Sequence, residues 1–324
     1  MASPTASDLH ISRPLTNITV AFMQSADQYI ADKVFPNIPV DHKSDQYYVY
    51  TRDSWNRVQA QKRARATESA GGGWDVETDT YSAERYAFHK DIDDQDRANQ
   101  DEQFNIDREA AEFVANQLLL KREQVFVDNY FKASVWGTNL TGVASGPTAG
   151  QFTQWDKAGS TPIEDVEAAV MAQTLLTGFK PNTLILGPQV LSALKNHADI
   201  LDRIKYTERG MVTTDLLSAM FDVPRIFVPY PIVNSAKEGT AESNAFFYGK
   251  SALLAYAAPS AGIMTPSAGY TFNWRRYTGS SALTPTTKRF RMEAITSDRI
   301  ESELYFDMKV VASEMGTWFG SAVS

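Results

Sequence analysis

Residues 101–133, DEQFNIDREAAEFVANQLLLKREQVFVDNYFKA, contain neither Pro nor Gly and are rich in Ala, Leu, Glu, Gln and Arg, all good helix formers. Asp101 and Glu102 sit where the positive end of a helix dipole favours carboxylates. Ala111, Val114, Leu118 and Val125 recur at spacings of three, four and seven, and Ala110, Phe113, Gln117 and Leu120 widen them into one apolar stripe. Glu109, Glu112, Lys121 and Arg122 fall largely to the other side. A helix of roughly thirty residues is about 45 Å long, whereas the usual helix has about 11–12 residues. The stretch reads as a spine. The long extended-looking segments on either side of it point to a subunit of an assembly.

The 324 residues are 43% hydrophobic and 22% charged, ordinary globular values with ample material for a core. A net charge of −8 argues against a globally basic nucleic-acid binder. The absence of cysteine excludes disulfides, zinc–cysteine sites, iron–sulfur clusters and cysteine nucleophiles, and is neutral about compartment. No apolar run approaches the ~18–20 residues of a membrane span, and the N-terminus lacks the basic-then-apolar pattern of a secretory signal. A soluble protein made in a cytoplasm is expected.

Residues 1–20 are polar, carry Pro4 and Pro14, and read as an arm that a neighbouring subunit would hold. A short helix is expected within 18–34, stopped by Pro36 and Pro39. Residues 46–51, QYYVYT, read as a strand. A basic stretch with Arg52, Arg57, Lys62, Arg63 and Arg65 follows, then a flexible tip at Gly71-Gly72-Gly73 and a second extended run over 81–92. Together they suggest one long hairpin with too little apolar material to stand alone.

Beyond the spine, 136–154 reads as a Gly-, Thr- and Ser-rich linker. Thr161, Pro162 and Glu164 form a helix-start signature, and Gly178 a helix stop. A short strand is expected at 183–186, a helix from Gly187-Pro188 to Leu194, and strands at 225–229, 245–248 and 253–256. From 300 to 312, Ile300, Leu304, Phe306, Met308, Val310 and Ala312 alternate with Glu301, Glu303, Asp307 and Lys309; only Ser302 interrupts the apolar face. That is the strongest strand signal in the chain.

Catalytic signatures are weak. Gly249-Lys250-Ser251 resembles the end of a phosphate loop, but Asn244 stands where the first glycine belongs, so a turn is the better reading. Asp91, Asp93 and Glu102 match three positions of a calcium loop, whereas Gln95 and Asp96 do not fit; a solvated acidic turn outweighs it. His10, His42, His89 and His197 show no paired ligand spacing, and neither Ser260 nor Ser267 completes a nucleophile elbow. No catalytic residue, metal site or cofactor is assigned. The basic residues 52–65 read either as a solvated loop or as a contact fitting the acidic Asp91, Asp93, Asp94 and Asp96 of a neighbouring copy; DNA binding ranks third.

The order of parts (arm, hairpin with a Gly-rich tip, spine helix, mixed α/β middle, β-rich return) resembles the major capsid proteins of tailed bacteriophages, with the α+β Hong Kong 97-type fold. Three stretches carry the likeness: 15–40, LTNITVAFMQSADQYIADKVFPNIPV; the Pro181-Asn182-strand-Gly187-Pro188-helix unit; and 246–259, FFYGKSALLAYAAP. The resemblance implies an N-terminal arm at 1–40 and an extended loop at 41–93. It also implies a peripheral domain from 94–136 and 265–324, and an axial domain at 137–264. It implies hexamers and pentamers closing an icosahedral head around double-stranded DNA, without specific DNA binding and without membrane. Further partners would be a portal protein, a separate scaffolding protein (since no extra N-terminal domain precedes the arm), and a cement or decoration protein. The virion would be its location, after assembly in the host bacterial cytoplasm. A lysine at the loop tip for covalent cross-linking cannot be placed, so that chemistry is not carried over. An encapsulin-type nanocompartment shell is the runner-up, and a hydrolase with an unrecognised carboxylate site a remote third.

Overall fold

The computed structural model describes residues 28–50, 56–99, 105–204, 212–237, 239–262, 264–278 and 283–324. Its strands, in chain order, are β1 (Asn37–Val40), β2 (Ser44–Tyr50), β3 (Val76–Ser82), β4 (Glu84–Asp93), β5 (Thr138–Val143), β6 (Gln151–Thr153), β7 (Thr183–Leu186) and β8 (Arg225–Phe227). They continue with β9 (Ile232–Asn234), β10 (Asn244–Phe246), β11 (Ala252–Ala255), β12 (Gly269–Trp274), β13 (Thr286–Met292), β14 (Ser297–Val310) and β15 (Gly316–Gly320).

β14, 14 residues long, organises the first sheet. β4 lies along one edge of it, antiparallel, while β13 and β12 share the other edge, with β1 parallel beyond β12. The apolar row is buried as expected at Ile300, Ser302, Leu304, Phe306 and Met308, but Glu303 and Tyr305 of the other row are buried too, so the alternation in burial gives way in the middle of the strand. The one polar residue in the apolar row is satisfied, Ser302 Oγ lying 2.8 Å from Thr287 Oγ1 of β13.

The spine helix runs Ile106–Tyr130, 25 residues, or about 37 Å at the usual rise. It starts five residues later than the sequence suggests, because Asn105 is its cap: the Asn105 side chain accepts from Arg108 N at 3.0 Å. Residues 101–104 lie outside the described residues. The buried row is Ala110, Val114, Leu118, Arg122, Glu123 and Phe126, with Phe113 out in solvent. The buried stripe is therefore rotated slightly from the expected one, and Arg122 lies within it. In its second half the helix is wrapped by other parts of the chain, which can satisfy buried charge.

A second sheet runs β6-β5-β15-β11-β7-β8. Its alternate residues face two cores. Leu184, Leu186, Ala252, Leu254 and Phe319 meet four helices, Pro162–Thr177, Pro188–Lys195, Ala198–Ile204 and Thr214–Phe221. Ile185, Leu253, Ala255 and Trp318 face the end of the spine, with Phe35, Phe126, Phe131, Trp136 and Tyr248. Gly316 and Gly269 are among the glycines that close approach requires: a Cβ on Gly316 would lie 2.0 Å from the Trp136 ring, and one on Gly269 2.5 Å from that of Phe35.

The supposed linker at 136–154 contains β5 and β6, which extend this sheet by parallel pairing to β15. Its Gly- and Thr-rich composition has poor strand propensity, and tertiary pairing overrides it. The helix Pro162–Thr177 ends as expected on Gly178 in the left-handed region, φ 78°. Its start differs: the Thr161 side chain makes no cap bond, and Glu164 reaches Arg203 at 2.7 Å instead of closing a box. Asn105→Ala should therefore cost about 1 kcal/mol and Thr161→Ala only a few tenths, read as a difference in urea midpoint.

No helix among the described residues is long and apolar enough to cross a membrane.

Candidate assembly interface

The arm of the sequence reading divides at residue 28. Residues 1–27 lie outside the described residues; the following stretch is a core element. Tyr29, Ile30, Ala31, Val34 and Phe35 are buried in the chain's own fold. Phe35 packs edge-on against Phe126 at 5.2 Å and lies 5.1 Å from Tyr130. The clamp is Glu123 of the spine, which accepts from Ile30 N at 3.0 Å and Ala31 N at 3.1 Å. Its Oε1 also accepts from the Tyr248 hydroxyl. These two backbone N–H groups lie at the start of the short helix Ala31–Val34, where carboxylates are favoured. Arg122, buried beside it, reaches Asp32 at 3.7 Å. Burial pushes the Glu123 carboxyl up, and its three donors pull it back. Sequence pattern missed this node, because charges in a helix read as a solvated face.

The hairpin is shorter than expected. β2 pairs with β3, Ser44 opposite Ser82 and Tyr50 opposite Val76. The run placed at 81–92 as its return is mostly β4, which turns away at Ala83 and joins β14 instead. β2 and β3 touch their own chain mainly at the base. Tyr81 stacks on Phe272 with centroids 4.5 Å apart, Tyr47 lies 5.2 Å from the same ring, and Ser82 N donates to Asp307 at 2.9 Å. Further out the apolar side chains face water: Tyr48 is 70% exposed, Trp74 61% and Val58 93%. Large apolar side chains exposed on one slender strand pair make it a candidate contact surface.

Of the candidate basic residues, Arg52 lies outside the described residues. Arg57, Lys62, Arg63 and Arg65 are exposed on the irregular segment between the two strands. Arg63 Nε donates to Thr67 O within its own loop. The acidic candidates are largely engaged at home. Asp91 receives Arg299 at 2.7 and 2.8 Å, and Asp94 receives Arg291 at 2.6 Å through both nitrogens. Asp93 caps the next short helix, accepting from Gln95 N at 2.9 Å; Asp96 is exposed. The hairpin cations thus have only Asp96 of this group standing clear. Both Asp91 and Asp93 of the calcium-loop reading have these other roles, and Glu102 lies outside the described residues. Among the described residues no group of three His, Asp or Glu could hold a metal.

These pairs belong to a lattice of charge tying β13, β14, β4 and the spine. Arg97 bridges Asp107 and Asp298, and Arg289 reaches the same two carboxylates. Asp94, Asp91 and Asp298 are held below the ordinary carboxylate range, by Arg291, Arg299 and Arg289 respectively. A depressed carboxyl contributes stability above its unfolded value, lost as pH falls through the folded value. These groups should therefore leave the Tm flat from pH 7 to 5 and lower it below about pH 4. Asp94→Asn should flatten that acid limb, and 1 M salt should weaken the contribution at pH 7.

The chain matches no protein-family profile. It is 25% identical over 274 residues to the major capsid protein of Burkholderia phage BcepMu, covering 82% of this chain and 84% of that one. Among solved structures it is similar to a phage-related protein of Bordetella bronchiseptica RB50. There the TM-score is 0.69 with 21% identity, over 92% of this chain and 94% of the other. The cyanophage P-SCSP1u capsid structure matches at TM-score 0.63 and 13% identity, over 100% of this chain and 96% of the other. The chain has the Hong Kong 97-type capsid fold. The holo-SrpI encapsulin of Synechococcus elongatus is similar too, at TM-score 0.52 and 10% identity, over 100% and 98% of the two chains.

In this capsid fold a subunit's working parts are surfaces. Glu123 ties the 29–35 segment to the spine and the charge lattice ties β4, β13 and β14 to it, while the outer hairpin presents partly exposed apolar side chains. Sequence reading found the hairpin and its tip but set its return strand too late.

Proposed function

We propose that this chain is the major capsid protein of a tailed phage, many copies of which close as hexamers and pentamers into an icosahedral head around double-stranded DNA. The observation that carries the reading is the likeness in sequence to the BcepMu major capsid protein along more than four-fifths of both chains. The uncovered outer hairpin supports it physically. The role is structural: contacts between different patches on successive copies generate closed rings. In this reading the first sheet with the spine is the peripheral domain, the second sheet with its four helices the axial domain, and β2–β3 the extended loop. A portal, a separate scaffolding protein and a cement protein are the further partners, and assembly takes place in the host cytoplasm before the protein resides in the virion.

Expression with electron microscopy of the product tests this. Closed shells of uniform diameter are expected, and monodisperse monomers at high concentration would overturn it. The encapsulin likeness keeps a second reading alive, a shell around protein cargo. DNA inside particles recovered from infected or induced cells decides for the phage head, and a packaged enzyme decides against it.

A further inference from the structure

Two features of the second sheet's helical layer present apolar surface on the outside of the fold. The first is the outer face of the helix Pro162–Thr177, where Glu167, Met171 and Leu175 follow one another at intervals of four. Leu175 is 91% exposed and Met171 66%. The second is an open groove of about 360 Å³ between the helix Pro188–Lys195 and the β9–β10 strand pair. Pro188, Gln189, Leu191, Ser192, Lys195, Tyr230 and Phe246 line it, Pro188 and Leu191 being otherwise buried in the subunit's own fold.

Resting on the capsid reading above, we propose that these two features are the two halves of one contact between neighbouring copies. The Met171–Leu175 ridge of one copy seats in the groove of the next. Helical pitch fixes the register. Residues 167, 171 and 175 rise one turn at a time, as do 195, 191 or 192, and 188 in the reverse direction, so two antiparallel helices match turn for turn. Leu175 then lies over Pro188 between Tyr230 and Phe246, and Met171 over Leu191 and Ser192. Glu167 meets Lys195. Charge complementarity at that end sets the direction, since a parallel arrangement would leave Lys195 opposite Leu175. Ridge and groove are different patches of one surface, so the contact is heterologous and propagates around a ring. A second copy is the occupant because the ridge and groove are complementary in both apolarity and charge.

The lack of cysteine makes the test clean. Met171→Cys and Ser192→Cys both replace exposed side chains. A protein carrying both, assembled and treated with a short thiol–thiol cross-linker, should give a ladder of covalent oligomers ending at five and six copies, and neither single variant should give one. Dimers from Met171→Cys alone would mean that the ridge meets itself, and would overturn the proposal. So would intact shells that yield no ladder, in which case the capsid reading stands and only this contact falls. Failure of the unmodified chain to form shells would remove both.

Charge reversal supplies a second readout. Glu167→Lys and Lys195→Glu should each slow assembly about tenfold, and the double reversal should restore it. A double variant as slow as the singles would overturn the pairing.

Discussion

Glu123→Ala is expected to lower the stability of the subunit by about 3–5 kcal/mol, among the largest effects of any single substitution. The reason lies in what is left behind. Ile30 N–H, Ala31 N–H and the Tyr248 hydroxyl all point at the missing carboxylate, and Arg122 loses the negative charge buried beside it. An unsatisfied buried donor costs about 1–3 kcal/mol, and Glu123 is fully buried. Glu123→Gln keeps one acceptor oxygen but turns an amide NH₂ toward the remaining donors, so it should fall between. Tyr248→Phe removes one donor and should cost least, and Glu123→Ala with Tyr248→Phe should cost less than the sum. Because burial raises the Glu123 carboxyl, its contribution is largest at low pH and declines as pH climbs through the raised value. Urea unfolding of the isolated subunit between pH 4 and 8 measures both effects. If Glu123→Ala shifts the midpoint by no more than a surface substitution does, the arm is not anchored there.

That node shows where sequence reading stops. Periodicity located the spine and the helix Pro162–Thr177 because each buries one regular face and leaves another in water, and β14 through its alternating apolar row, although Glu303 and Tyr305 of its other row are buried as well. It failed where burial is not periodic. Arg122 and Glu123 look like a solvated pair, yet they are enclosed by residues 29–35 and by Tyr248, partners 93 and 125 positions away. β5 and β6 look like a linker because their stability comes from pairing, β5 with β15 and β6 with β5, and not from their own side chains. The hairpin was legible through its Gly-rich tip. Its return strand was not, because both 76–82 and 84–93 can be extended and only register against β14 assigns the second to the sheet. The acidic candidates Asp91 and Asp94 were visible as charges; that Arg299 and Arg291 already hold them depends on strand pairing invisible to spacing.

Replacing Tyr48, Trp74 and Val76 together by Ser should leave the isolated subunit as stable as before and abolish shell formation. Tyr48, Trp74 and Val76 are 70%, 61% and 42% exposed in one copy, so their loss costs the subunit far less than a core truncation; surface changes stay within about ±0.5 kcal/mol each. In the proposed reading they lie on a neighbour in the shell, and burying a large apolar side chain contributes about 1.5–3 kcal/mol. Losing about 5 kcal/mol per contact raises the concentration needed for association by more than about a thousandfold. Phe272→Ala provides the contrast. Tyr81 and Tyr47 rest on that ring at the hairpin base, so its removal should cost about 3–5 kcal/mol in the subunit itself. Light scattering reports assembly and circular dichroism melting reports the fold. The decisive pattern is a separation of the two: outer-hairpin variants melting normally without assembling, and the base variant melting early. Shells formed by the triple variant at the usual concentration would show that the outer hairpin faces solvent in the particle as well, and that closure draws its energy from elsewhere on the subunit.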